Sequence, residues 1–349
     1  MKLISLFSGC GGLDLGFEKA GFKTIWANEY DKTIWDTYSY NFPDTVLDRR
    51  SIVDVPSVDI PSDIDGIIGG PPCQSWSEAG SGRGINDSRG KLFYEYIRIL
   101  KDKQPKFFLA ENVAGILFEK HAEAFNDILN SFRKLGYNIS YKLLNAKNYN
   151  VPQDRKRVII IGYHERLNKS FTFPTPSNYI PTLRDSIYDL NGLAVPALDK
   201  NKTNGHGMNI LNNEYMTGGW STMFMSRNRV RTWDEPSFTI QAGGRHAPIH
   251  PSAPQMEKVG KDKFIFKKGF EKLYRRLSLR ECARIQTFPD SHKFVYNSLA
   301  DGYKMVGNAV PVEFATALAT KIYIDLAENH TAFNHNFYRK KDLYSICRL

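Results

Sequence analysis

The stretch ISLFSGCGGLDLGF, residues 4–17, passes from an apolar run through a glycine turn into a helical pattern. A strand, loop and helix in that order form the first unit of a doubly wound, mostly parallel α/β sheet, and this reading decides the fold class. Gly9, Gly11 and Gly12 stand at the turn. Without a Cβ they let the backbone approach a ligand at the carboxyl end of the strand. The loop lacks the Gly-Lys-Ser/Thr of a P-loop, which disfavours a nucleoside triphosphate.

Working outward, apolar runs of strand length recur at residues 23–28, 64–69, 106–110, 137–144 and 158–162. Helical patterns separate them, as crossover helices of a parallel sheet should. In HAEAFNDILNSFRKLG, residues 121–136, the spacing puts Phe125, Ile128, Leu129 and Phe132 on one stripe, with Gly136 as a C-terminal cap. LFYEYIRIL, residues 92–100, reads as a second core-facing helix. Near residue 165 the texture turns to Pro, Asn, Gly and Lys, marking a domain boundary. The expected division is a first domain over 1–164, a small second domain over 165–274, and a return segment over 275–330. Phe314, Leu318, Ile322 and Leu326 give that last segment a helix that completes the first domain. Residues 331–349 receive no role.

The net charge of +10 is unevenly placed. Residues 1–164 hold 21 basic and 20 acidic side chains, whereas 200–284 alone hold 16 and 7. Positive charge concentrated in one segment is the footprint of a polyanionic partner, most often nucleic acid. Four scattered cysteines, Cys10, Cys73, Cys282 and Cys347, exclude a disulfide framework and offer no metal-ligand spacing. With no signal peptide and no membrane-length apolar stretch, a soluble cytoplasmic protein without metal is expected.

Three segments carry candidate chemistry. Glu29, after the second strand, stands where an acid accepts hydrogen bonds from ribose hydroxyls, so NAD and S-adenosylmethionine both fit. In GGPPCQSWS, residues 69–77, two prolines stiffen the chain just before Cys73, which aims the thiol. Glu111 follows another strand of the same sheet, so a thiol and a carboxyl emerge at the edge that holds the glycine loop. Arg155 and Arg157, in VPQDRKRV, are spaced for one face of an extended segment and suit a phosphate or a developing anion.

In chain order, FSGCGG, NEYD, GGPPCQSWS, ENV, QDRKR, RRLSLRECARIQTFPD and GNAVP make this sequence resemble the bacterial DNA cytosine carbon-5 methyltransferases. Within it, MSRNRVRTWDEPSFTIQAGGR, residues 225–245, looks like the target-recognition region of members that modify double-stranded GGCC in restriction-modification systems. The resemblance selects S-adenosylmethionine, implying that Phe7, Gly9, Gly11, Gly12, Glu29, Tyr30, Ile52, Pro72 and Asn308 hold it. It implies Cys73 as the nucleophile, Glu111 as its acid partner, and Arg155 and Arg157 as catalytic cations. The Gly- and Ser-rich segment 78–90 is expected to close over a flipped base. Arg227, Arg229, Arg231 and Arg245 are the expected DNA contacts, with Arg229 and Arg245 foremost, since arginine pairs bidentately with guanine. A monomer is expected, paired functionally with a restriction endonuclease but not in a stable complex.

One position departs from the family pattern. Where an Asp before Ile usually meets the adenine amine, DRRSIVDV places Ser51 before Ile52, leaving Ser51, Asp48 and Asp54 as alternatives. The catalytic motifs alone also leave open an RNA cytosine-5 methyltransferase, while the charge alone would suit a non-catalytic DNA-binding protein.

Overall fold

The computed structural model describes residues 1–72, 92–205 and 208–343, with side chains as far as residue 328. Cys73 and the segment 78–90 lie outside the described residues. The sheet comprises β1 (Lys2–Leu6), β2 (Lys23–Asn28), β3 (Val46–Asp48), β4 (Gly66–Gly69), β5 (Phe107–Val113), β6 (Tyr137–Asn145) and β7 (Lys156–His164). Their order across it is β3-β2-β1-β4-β5-β7-β6. All neighbours pair in parallel except β7, which runs antiparallel to both β5 and β6. The strand order reverses between β1 and β4, and a doubly wound sheet binds its ligands at the carboxyl ends beside such a switch point.

Both faces of the sheet are covered, which explains why its strands read as continuous apolar runs. Side chains alternate between the faces: Phe107 points to one and Phe108 to the other. On the first face lie α1 (Gly12–Lys19) and α8 (Val312–Leu343), through Leu13, Phe17, Phe314, Leu318, Ile322 and Leu326. Gly16 lets the two helices touch, since a Cβ there would lie 2.4 Å from the Ala315 methyl. On the second face lie α3 (Leu92–Lys103) and α4 (Ala122–Lys134), the latter burying the expected stripe of Phe125, Ile128, Leu129 and Phe132. The helix α2 (Trp35–Asn41) packs Tyr38 and Phe42 beside β2. The sequence reading missed β3, a three-residue edge strand whose Val46 is exposed and which carries no alternation to detect.

Beyond His164 regular structure thins. There α5 (Leu183–Ile187), α6 (Leu279–Ile285) and α7 (Leu299–Asn308) share one core with Met216, Ile240 and Ala247. A second core around Phe224, Val230, Ile249 and Tyr274 supports the hairpin of β10 (Glu257–Gly260) and β11 (Lys263–Ile265) through Phe264. The remaining pair, β8 (Val195–Pro196) and β9 (Glu214–Tyr215), has two residues per strand. α6 and α7 therefore pack with the second lobe, and α8 returns to the sheet. Its backbone continues as helix to Leu343, through most of the segment that the sequence left without a role. Among the described residues no helix is long and apolar enough to cross a membrane, and no group of three His, Cys, Asp or Glu side chains is placed to hold a metal ion.

Candidate active site

At the carboxyl end of β1 the backbone enters the left-handed region, with φ 55° at Phe7, 56° at Gly9 and 84° at Gly11. For Phe7, a non-glycine residue, this conformation stores strain. Glycine is required at position 11 for a second reason, because a Cβ there would meet the Phe42 ring at 2.1 Å. At Gly9 an added Cβ would meet nothing within 4 Å, so the loop opens onto space. Glu29 closes this turn from the end of β2. Its Oε2 accepts from Gly9 N at 2.9 Å, and its Oε1 accepts from Asp31 N at 2.8 Å. Burial pushes this carboxyl upward, while the two amides oppose the shift.

The other expected cofactor residues scatter in exposure. Ile52 is buried, Tyr30 is 70% exposed, Pro72 is half-buried and Asn308 is exposed at the end of α7. Of the alternatives near Ser51, Asp48 is chelated by Arg50 through Nε at 3.1 Å and Nη2 at 2.6 Å, whereas Asp54 is exposed. Asp48 is thus paired with Arg50, while Ser51 is half-buried.

Two strands away, β5 carries Glu111, only 9% exposed. In the antiparallel register Glu111 faces Ile159 and Val113 faces Arg157, so Glu111 and Arg157 are diagonal neighbours on one face. The Arg157 Nε lies 2.8 Å from Glu111 Oε1. The other carboxylate oxygen lies against Gly70, where an added Cβ would come within 3.1 Å. Because Gly69 pairs with Ala110 and Leu6 with Gly69, the ends of β1 and β4 are level with Ala110 of β5, and Glu111 stands one residue beyond. Glu111 thus sits beside the chain that leads through Pro71 and Pro72 to Cys73.

Arg155 behaves differently from its expected partner. It precedes β7 and is 1% exposed, and its guanidinium donates from Nη1 to Ile240 O at 2.9 Å and from Nη2 to Gly307 O at 2.9 Å and Ala309 O at 3.0 Å. Both terminal nitrogens are occupied by main chain. Of the two arginines expected on one face of an extended segment, Arg157 faces the carboxylate and Arg155 is turned to the main chain.

The four arginines of the second lobe also divide. Arg229 is buried, donating to Phe224 O at 2.8 Å and Met223 O at 2.9 Å, and burial together with the Arg227 charge pushes it down to about 10. Arg231 pairs with Glu235 at 2.7 Å and lies over the Phe238 ring. Arg227 and Arg245 are exposed. Asp154, Arg227, Arg229, Gln241 and His246 line a cavity of about 250 Å³ between the end of the β6–β7 connection and this lobe. Burial and the charges of Arg229, Arg276 and Arg245 hold the His246 pKa down. Sequence reading names neither Gln241, inside the segment 225–245, nor His246, just beyond it; between the buried Ile240 and Ala247 no periodic pattern marks them.

Comparison with known proteins supplies an independent line. The family model for C-5 cytosine-specific DNA methylases matches residues 1–323. The Type II methyltransferase M.FnuDI of Fusobacterium nucleatum is 59% identical over 325 residues, 92% of this chain and 94% of that protein. M.NgoPII of Neisseria gonorrhoeae, another Type II methyltransferase, is 56% identical over 326 residues, covering 92% and 95%. The solved structure of an E. coli prophage-encoded protein, described as a DNA modification methyltransferase, superposes with a TM-score of 0.71 at 24% identity, covering 94% of this chain and 99% of that one. The Entamoeba histolytica methyltransferase EhMeth gives 0.69 at 17%, covering 93% and 98%.

Proposed function

This chain belongs to the family of C-5 cytosine-specific DNA methylases, and from that premise we propose that it methylates carbon 5 of a cytosine extruded from duplex DNA at GGCC sites. We propose further that it acts as a monomer in the cytoplasm, as the modifying half of a Type II restriction-modification system alongside an endonuclease it does not stably bind. The relatives' description as Type II methyltransferases supports the second statement. The division into a catalytic and cofactor-binding first domain and a target-recognition domain belongs to the same reading.

The observation that carries it is the placement of Glu111 against Gly70, in ion pair with Arg157, level with the open glycine loop. The residues at that loop fit a nucleoside cofactor: space lies over Gly9, and each Glu29 oxygen accepts one amide and retains a lone pair for a ribose hydroxyl. Phe7, Gly9, Gly11, Gly12, Glu29, Tyr30, Ile52, Pro72 and Asn308 would hold S-adenosylmethionine, which supplies an electrophilic methyl group. Cytosine carbon 5 is a poor nucleophile until carbon 6 is attacked. Cys73 as thiolate bonds to carbon 6, and Glu111 engages ring nitrogen 3, where charge accumulates. Once carbon 5 has been alkylated, loss of its proton and expulsion of the Cys73 thiolate restore the ring. Arg157 holds Glu111 in place through their ion pair.

The GGCC assignment is supported by the likeness of residues 225–245 to target-recognition segments, and by the exposure of Arg227 and Arg245 in them. The test is transfer of labelled methyl from S-adenosylmethionine to a GGCC duplex, with a duplex lacking the site as control. A GGCC duplex bearing 5-fluorocytosine should remain covalently attached. Label on neither duplex, or on both equally, would reject the site assignment, and full activity with no trapped adduct would reject the Cys73 mechanism.

A further inference from the structure

Arg155 lies in a buried polar network that joins four separated segments of chain, at residues 153–155, 240, 286 and 306–309. Gln153 Nε2 donates to Gln286 Oε1 at 2.8 Å, and its Oε1 accepts from Ile240 N at 2.9 Å. Gln286 Nε2 in turn donates to Val306 O at 2.7 Å. Gln153 and Gln286 have no solvent exposure. Each side-chain oxygen and nitrogen of Gln153 and Gln286 has a partner, which fixes their geometry in the interior, whereas Arg155 is held through its two terminal nitrogens while its buried Nε has no partner among the described residues. The two carbonyls that share the Arg155 Nη2, Gly307 and Ala309, flank Asn308, whose own side chain is exposed. The carbonyl on Nη1, Ile240, adjoins Gln241, which lines the cavity with Arg227 and Arg229. The two segments are already in contact, since a Cβ on Gly307 would come within 2.3 Å of the Gln241 carbonyl.

We propose that Arg155, with Gln153 and Gln286, is a positioning residue that sets the register between Asn308 on the cofactor side and the 240–245 segment on the DNA side. The inference rests on the placement of cofactor and DNA given above. A planar guanidinium fixes both segments at once because its fork bonds carbonyls from each in one plane. A lysine ammonium is a point charge and holds no such plane. The role assigned to Arg155 is thus indirect: it moves no proton and touches no reacting atom, but it sets where the groups that do so stand.

The test uses the full chain as Arg155→Lys and, as a milder change, Gln153→Met, on unmodified genomic DNA. Whichever site the wild type modifies serves as the substrate, so an error over GGCC leaves this test intact. Single-turnover methylation at saturating cofactor and DNA should fall about 100-fold in Arg155→Lys, the scale of a 1 Å misplacement. The rate ratio between the target and singly mismatched sites should fall with it, while the pH profile keeps its acid limb. Gln153→Met should show the same paired loss to a smaller degree. A lowered melting temperature with wild-type rate and discrimination in the folded fraction would reduce the network to a stability element and overturn the proposal. A rate loss with discrimination intact and the acid limb displaced would return Arg155 to direct contact with the reaction, and would overturn it equally.

Discussion

The sheet edge that bears Glu111 and the lobe that bears Arg245 are held in shape by different means. At the edge, β1, β4 and β5 are fixed by parallel ladders, so the direction of each side chain follows from its place in the strand. In the lobe the strands are two to four residues long, and arginine side chains take over the satisfaction of backbone carbonyls. Arg276 donates to the carbonyls of Gly218 at 3.2 Å and Gly219 at 2.7 Å and lies over the Trp220 ring. Arg280 donates to those of Leu211 at 2.9 Å and His292 at 3.0 Å. In a region with little ladder, a guanidinium with five donors is the side chain best able to pair several carbonyls. The basic excess of 200–284 therefore has two origins, and only part of it is available to DNA.

If the edge is the reactive region, its substitutions should abolish chemistry without unfolding the protein. Cys73→Ala should remove methyl transfer while leaving duplex binding within a few-fold, as measured by labelled-methyl transfer and by gel shift. Glu111→Gln keeps the shape but removes the acid, and should lower the single-turnover rate by about 10²–10⁴. Retained turnover in either would detach that residue from the mechanism.

The converse holds for the lobe, where substitutions should cost stability first. Glu281 has no solvent exposure and accepts from both terminal nitrogens of Arg275, at 2.8 and 2.7 Å, and from Ser278 N at 2.7 Å. Removing one partner of a buried pair leaves a charge unpaired, so Glu281→Ala should lower unfolding free energy by about 3–5 kcal/mol, read by urea denaturation. A loss below about 1 kcal/mol would show that the lobe does not depend on its arginine network.

Acid should act on the same region. Burial, opposed by the Glu281 charge, pushes His250 down to about 4, and burial with the Arg280 charge does the same to His292. The His250 Nε2 lies 3.5 Å from Glu281, too far for a strong hydrogen bond. A histidine whose folded pKa is depressed stays neutral while its unfolded form takes a proton, so stability is lost as pH falls from about 6.5 to 4. Each should contribute a slope of about 1.4 kcal/mol per pH unit in that window. The depressed pKa of Glu281, where bonds from Arg275 outweigh burial, acts only below the ordinary carboxylate range. Burial raises the carboxyls of Asp14 to about 6 and Glu18 to about 7, which adds stability as pH falls and opposes the histidines. The test is therefore a difference: the stability of wild type relative to His250→Asn, from urea midpoints between pH 7 and 4, should fall as pH drops through the window. A difference that stays constant would remove His250 from the account.

The same contrast explains what was legible in the sequence. The strands, the stripe of α4 and the docking of α8 follow from periodicity, because a ladder or a helix converts spacing into direction. Glu111 was placed at the correct edge for that reason. Arg155 and Arg157 share the spacing, yet β7 starts at Lys156, so the rule that relates residues two apart stops between them. The acceptors of Arg155, at Ile240, Gly307 and Ala309, lie 85 to 154 residues away, and no local pattern encodes them. Arg229 is a foremost candidate by its place in the segment that resembles a target-recognition region; its carbonyl partners belong to Met223 and Phe224, whose local turn has no marker in the sequence.

That ambiguity gives the smallest and sharpest test, because Arg229 and Arg245 begin with the same claim to a guanine edge. Arg245 is exposed in the 3-10 turn Gly244–His246, so its whole fork is available for bidentate pairing. Arg245→Ala should cost about 1–3 kcal/mol of discrimination at one base position, with the melting temperature unchanged. In Arg229, Nε and Nη2 are tied to carbonyls and Nη1 alone is left, which permits one hydrogen bond but not a fork. Arg229→Ala should therefore lower stability, by about 1.5–3 kcal/mol for each charged hydrogen bond lost, and weaken the target only as the lobe loosens. Competition between target and single-mismatch duplexes, alongside melting curves, separates the two. If Arg229→Ala melted like the wild type and lost discrimination at one base, a guanidinium anchored on its own loop would be the better reader. Rigidity, not exposure, would then be what selects the base.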